Sequence, residues 1–342
     1  MQTTSLTAYK LKFLTPLHIN SGQHNYYTRS QEVYGSDALK SALFSVLVQQ
    51  DLNWQDRYHD FFDGFKVSSC YPYYRSVYFL PRPYHKMPFS WQKEEASSVK
   101  KIKKIAYVDL NLIQRICNAS QVPISIAPEQ LANGGRFLFD KAEDNQLKGN
   151  LIGREEQQRV RIGYGEDSEP YAIERVHFDT DAGLYFLASF TNPRIRETVE
   201  CALRMLADAG IGSDRHVGNG LFTIEGTAEI KWTSVQEPNC YIALGFYTPT
   251  RDELKALSAT TTSYQLEKRG GYIAGSNQEQ YRHFRKQSVY MLAPGSVIGD
   301  SQMPDGKLLN LKPDTIQPGV HNVWRDGRPI FIPALFHNSF SK

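Results

Sequence analysis

Apolar and polar residues alternate through "YKLKFLTP" (Tyr9–Pro16), the period-two pattern of a half-buried strand, and the run ends in Thr-Pro. "YIALGFYTP" (Tyr241–Pro249) repeats that layout more than two hundred residues later. A helical pattern follows each. The first begins at Ser36, a good N-cap residue, and carries Ala38, Leu39, Ala42, Leu43 and Val46 on one face. The second begins at Thr250, with Glu253 three residues on as a capping box. The repeated strand-to-helix order predicts a tandem arrangement of related domains.

Between these landmarks "GFKVSSCYPY" and "RSVYFLPRP" read as strands. A polar stretch from about Tyr84 to Glu174 interrupts the pattern and reads as an insertion, partly mobile, projecting from the first domain. "ERVHFDTDAGLYFLASF" reads as a hairpin turning at Asp-Ala-Gly. A helix is predicted over 197–208, with Val199, Ala202, Leu203 and Leu206 as its core stripe. The glycine-rich loop 210–220 comes next, and "LFTIEGTAEIKW" resumes as strand. The expected division is therefore 1–235, holding the insertion and the loop, and 236–342. The fold class is α+β: tandem ferredoxin-like (RRM-like) domains in the order βαββαβ.

Composition narrows the function classes. Of 342 residues 41 % are hydrophobic and 22 % charged, which predicts a globular protein with real cores. No apolar run approaches the ~18–20 residues needed to span a bilayer, and "MQTTSLTAYKLKFL" lacks a signal peptide's apolar core. A soluble cytoplasmic protein without membrane contact is expected. The four cysteines (Cys70, Cys117, Cys201, Cys240) are scattered, so neither a zinc knuckle nor a disulfide framework is expected. The net charge of +3 means that any basic surface is local.

The segment Ala207–Gly226 holds five of the 24 glycines. A nucleotide fingerprint needs strand, glycines, then helix, because the helix N-terminus holds the phosphate. Here the order is reversed, and no Gly-Lys-Ser/Thr occurs. Gly210 suits a helix C-cap. Gly212, Gly218 and Gly220 around Arg215 and His216 suit either close backbone approach to an RNA phosphate chain or a purely structural loop.

Helix, then "GIGSDRHVGNGLF", then strand resembles the glycine-rich loop of the RAMP superfamily of CRISPR-associated proteins. "LTPLHINSG" followed by "SDALKSALFSVL", then "FLPRP" with "VKKIKKIAYVDL", and finally "YQLEKRGGYI" with "KQSVYMLAPGSVI" resemble the fourth-subunit family of the type III-A Csm effector. Pro294 departs from the pattern, which more often has an acidic residue before Gly-Ser, and the insertion matches no family pattern. The resemblance implies a non-catalytic subunit without cofactor or metal. Its partners would be the 5′ tag of CRISPR RNA (crRNA), the large polymerase-like subunit and the backbone RAMP subunits. RNA contacts are implied at His18, Ser21 and Gly22, at Ser36 and Lys40, and at Arg82. In the glycine loop they are implied at Gly210, Gly212, Ser213, Arg215, His216, Val217 and Gly218.

In "EKRGGYI" Lys268 and Arg269 supply charge, Gly270 and Gly271 allow close approach, and Tyr272 can stack on a base; Lys286 follows toward the same groove. A glycine-containing turn is the alternative there. The run Lys100, Lys101, Lys103 and Lys104 reads as a solvated helix face, partly offset by Glu94 and Glu95. His216 beside Asp214 could act as a general base, but acid–base cleavage needs a second positioned group that the spacing does not show. The competing enzyme reading is a RAMP endoribonuclease that processes repeat RNA. That resemblance would place the loop near the carboxy-terminus, whereas about 120 residues follow it here.

Overall fold

The computed structural model describes residues 3–20, 29–92, 98–119, 123–161, 169–273, 275–313 and 321–336. The alternating run at the start becomes β1 (Thr3–Phe13), whose Leu6, Ala8, Tyr9 and Leu11 are buried. It lies between the strands Phe222–Thr233 and Ala182–Phe190, antiparallel to both. Beyond Ala182–Phe190 come β2 (Phe65–Val67) and β3 (Tyr71–Tyr74), then β4 (Val77–Pro81). Two helices pack side by side on this sheet: α1 (Ser36–Gln50) and Pro193–Ala209. The second shows the expected stripe, with Val199, Ala202, Leu203 and Leu206 all buried.

Three readings change. The stretch from Tyr84 to Glu174 is built into the fold: Tyr107–Asp109, Phe137–Leu138 and Leu131–Ala132 extend the main sheet from the β4 edge. Its apolar clusters are too short to show a period in sequence, yet Val108, Phe137, Leu138 and Phe139 are fully buried. The Asp-Ala-Gly segment does turn, with Ala182 N–H donating to Asp179 O at 2.9 Å. Its flanking strands do not pair with each other. Glu169–Phe178 pairs back onto Ile152–Arg161, while Ala182–Phe190, buried on both faces from Ala182 to Ala188, takes a central sheet position. Finally, Ser36 is the first helical residue and Gly35 the cap. Buried against the C-terminal half, Ser36 Oγ accepts the Phe246 N–H at 2.9 Å instead of capping its own helix.

The C-terminal half places Cys240–Ala243 between Val297–Ile298 and Phe331–Ala334. The helix expected from Thr250 is a short 3-10 turn, Asp252–Ser258. Glu253 does accept the Thr250 N–H (2.7 Å), and it also holds the Asp305 N–H (2.6 Å), which binds a distant loop to the turn. Two ribbons complete this half: Leu266–Arg269 with Val289–Leu292, and Leu308–Asn310 with Trp324–Asp326. The main hydrophobic core runs on from the N-terminal sheet through Cys240, Ile242, Leu244, Ile330 and Ile332. Among the described residues no helix is long and apolar enough to cross a membrane. All four cysteines are free, and Cys70, Cys117 and Cys240 are buried.

Charged groups lie inside this joint. Lys40 is 2 % exposed; its ammonium donates to Asp326 Oδ2 at 2.6 Å and to the Phe62 and Phe65 carbonyls. Asp37, fully buried one turn earlier, is ion-paired with both Arg269 and Arg325. Removing one member of a buried pair strands the other without water. Asp326 keeps Arg328 at 2.8 Å as a second partner, so Lys40→Met, which also leaves the Phe62 and Phe65 carbonyls without their donor, is expected to lower stability by about 1–3 kcal/mol in urea unfolding. Lys66→Met, on the exposed Lys66–Asp305 pair, should cost under about 1 kcal/mol.

Candidate nucleic-acid interface

The glycine segment begins as a helix end. Gly210 caps Pro193–Ala209 at φ +75°, its N–H on Leu206 O, and Ile211 turns into the core. Gly212 (φ +88°) then passes the exit of β1 so closely that a Cβ would lie 2.4 Å from His18 O. Ser213 N–H donates to that same carbonyl at 2.7 Å. Gly220 (φ +73°) closes the loop: its N–H reaches Pro16 O, its carbonyl accepts the Ile211 N–H, and a Cβ would lie 1.9 Å from Ile211 O. These glycines serve the feet of the loop. The crest is different. Arg215–Val217 form a 3-10 turn after the left-handed Asp214; His216 and Val217 are exposed, and the space around Gly218 is open.

Arg215 and Gly212 line one cleft with the small residues Ala38, Ser41, Ala42 and Ser45 of α1 and with Tyr272, Lys286 and Arg325 from the C-terminal half. Its volume is about 460 Å³, within the range of ligand sites. Short side chains on α1 leave the room, and cations from both halves line it. Lys286 is half-buried, and its ammonium has no hydrogen-bond or ion-pair partner among the described residues. Burial, reinforced by the nearby Arg269 charge, pushes its pKa down to about 8. Tyr272 is 43 % exposed, with the Arg285 guanidinium 5.0 Å from its ring centre. The bend before it is tight: Gly271 (φ +111°) accepts the Lys286 N–H, and a Cβ on Gly270 would meet Ser288 Oγ at 2.7 Å.

The other residues singled out in the sequence fall elsewhere. His18 is 3 % exposed, with Nδ1 2.8 Å from Glu174 O, and it props the glycine loop from within. Ser36 and Lys40 are interior, held by Phe246, Ser69 and Asp326. Lys268 and Arg269 separate because successive strand residues face opposite ways. Lys268 is exposed beside Leu266 and Tyr290 on the outer face of its ribbon; Arg269 turns inward to Asp37 and lies 4.1 Å over the Phe246 ring. Arg82 stands in a second cavity, donating to Ile102 O at 2.8 Å. The lysine run lies on Ser98–Lys104, where Lys101 sits 4.9 Å over Trp91. Ser21 and Gly22 lie outside the described residues. Arg325 was missed, because "VWRDGRP" carries no period and no basic cluster beyond its two arginines.

Residues 236–334 match the model of the CRISPR Csm4 C-terminal domain. The chain is 27 % identical over 270 residues to the CRISPR system Cms protein Csm4 of Mycobacterium tuberculosis (strain CDC 1551 / Oshkosh), covering 78 % of each. It is 23 % identical over 300 residues to the protein of that name from Thermococcus onnurineus (strain NA1), covering 84 % of this chain and 87 % of that one. Its fold is similar to a chain in the crystal structure of the Csm3–Csm4 subcomplex of the type III-A CRISPR-Cas interference complex: TM-score 0.61 at 17 % identity, covering 96 % of this chain and 99 % of that one. A chain of the Csm1–Csm4 cassette with pppApA gives TM-score 0.61 at 17 % identity, covering 98 % and 100 %. In fold and in sequence the chain is similar to CRISPR-associated proteins. Among these it resembles the Csm4 proteins, and residues 236–334 match the model of their C-terminal domain.

The loop geometry separates two kinds of glycine. Gly218→Ala adds only the left-handed backbone cost, about 1–2 kcal/mol. Gly220→Ala adds a collision with a backbone carbonyl and should cost roughly 3 kcal/mol or more. Urea unfolding of both variants measures the difference.

Proposed function

We propose that this chain is a non-catalytic subunit of a type III CRISPR effector complex that holds the 5′ tag of crRNA in the cleft between α1, the glycine loop and the C-terminal half. The observation that carries this reading is the convergence of Arg215, Lys286 and Arg325 with Tyr272 on one cleft floored by small residues. Fixed cations hold phosphates, an aromatic face stacks on an unpaired base, and neither demands a particular sequence. The half-buried Lys286, unpartnered among the described residues, is suited to an anion: a phosphate offsets the repulsion from Arg269 and favours the charged ammonium. The names of its relatives give the context. In such a complex the chain would join the large polymerase-like subunit to the backbone of RAMP subunits, as the Csm1–Csm4 and Csm3–Csm4 assemblies suggest.

The same reading divides the chain at 235/236 into two ferredoxin-like domains. In the first, the sheet order Phe222–Thr233, β1, Ala182–Phe190, β2/β3 supports it, with α1 and Pro193–Ala209 as the two crossovers. In the second, Cys240–Ala243 between Phe331–Ala334 and Val297–Ile298 supports it, the first crossover being reduced to the 3-10 turn Asp252–Ser258.

A charge-assisted hydrogen bond contributes about 1.5–3 kcal/mol. Arg215→Ala and Lys286→Ala should each weaken binding of single-stranded tag RNA roughly ten- to a hundred-fold. Each lost phosphate contact should flatten the log–log salt dependence by about 0.7. Lys268→Ala, on the outer ribbon face, should leave the affinity unchanged. Fluorescence anisotropy at several salt concentrations measures all three, and repeat RNA incubated with the chain should stay intact. Unchanged affinity in both cleft variants, or metal-independent cutting of repeat RNA, overturns the reading.

A further inference from the structure

A second cavity, about 620 Å³, is lined by Gln31, Glu32 and Val33, while the next residue along the chain, Tyr34, lines the cleft. Glu267 stands in the second cavity, on the same strand face as Arg269, since residues two apart point one way. It is half-buried, and its carboxylate has no hydrogen-bond or ion-pair partner among the described residues. The other acid there, Glu32, is fully engaged: Arg136 and Arg154 bind it at 2.5 and 2.8 Å. Tyr84 is 42 % exposed, Lys103 in the lining is exposed, and among the described residues the Arg82 guanidinium donates one hydrogen bond. A ring to stack on, cations for a phosphate and one free acceptor make a nucleotide-sized site with a selective element.

We propose that this cavity is a base-reading subsite for the RNA strand that occupies the cleft, with Glu267 accepting a hydrogen bond from the exocyclic amino group of an unpaired adenine, cytosine or guanine. The proposal rests on the RNA reading of the cleft. A carboxylate accepts from such amino groups, and uracil has none to give. Burial raises the Glu267 carboxyl above the usual range while the Arg269 charge opposes that shift, and a hydrogen bond from a base amino group would favour the ionised form. Lys103 and Arg82 then stand where the next phosphates of the strand would lie.

The test uses short single-stranded RNAs of the tag sequence in which each base in turn is replaced by its analogue without the exocyclic amino group, titrated onto the full chain. One position is expected to bind about tenfold more weakly when its amino group is removed. In Glu267→Leu that position should become indifferent while the remaining positions behave as in the parent. No sensitive position in the parent chain overturns the subsite, and so does sensitivity that persists in Glu267→Leu. The parent series needs no variant, so it decides the matter even if Glu267→Leu fails to fold. Loss of affinity in Arg215→Ala with no amino-sensitive position sinks the subsite and leaves the cleft; no RNA binding at all sinks both.

Discussion

The buried charges of α1 set the relation of everything else. Asp37 and Lys40 lie one turn apart on a helix of the N-terminal sheet, and each finds its counter-charge in the C-terminal half: Arg269 and Arg325 for the first, Asp326 for the second. Ion pairs taken out of water gain little net stability over an apolar contact of the same shape, but they punish any other arrangement severely. Their consequence is therefore geometric. They fix the ribbon Leu266–Arg269 and the strand Trp324–Asp326 against α1, and the walls of both cavities follow from that placement.

The glycine loop depends on the same discipline at a smaller scale. Gly212 and Gly220 allow backbone to touch backbone at the exit of β1, which presents the crest Arg215–Gly218 at the mouth of the cleft. The choice between a structural loop and an RNA-approaching loop thus divides along the segment. Its feet are scaffold, its crest is surface, and Arg215 is the residue that joins loop to cleft. Tyr272 and Lys286 arrive at the same place from a chain segment more than fifty residues away.

What the sequence by itself determined were the features with a local physical cause. Alternation marked β1, a 3.6-residue period marked both long helices, and the reversed order of helix, glycines and strand ruled out a phosphate-binding fingerprint. The motifs around these elements carried the family resemblance. Tertiary structure decided what no local pattern encodes. Ser36, read as a helix cap, and Lys40, with it an implied RNA contact, are interior, because their partners are Phe246 and Asp326, more than two hundred residues away. Lys268 and Arg269, adjacent in sequence, part company because a strand alternates its faces. Short apolar clusters between 84 and 174 showed no period, yet they extend the sheet once β4 offers an open edge. Arg325 and Glu267 gain meaning only from what stands opposite them, which pairing across the chain supplies and spacing along it does not.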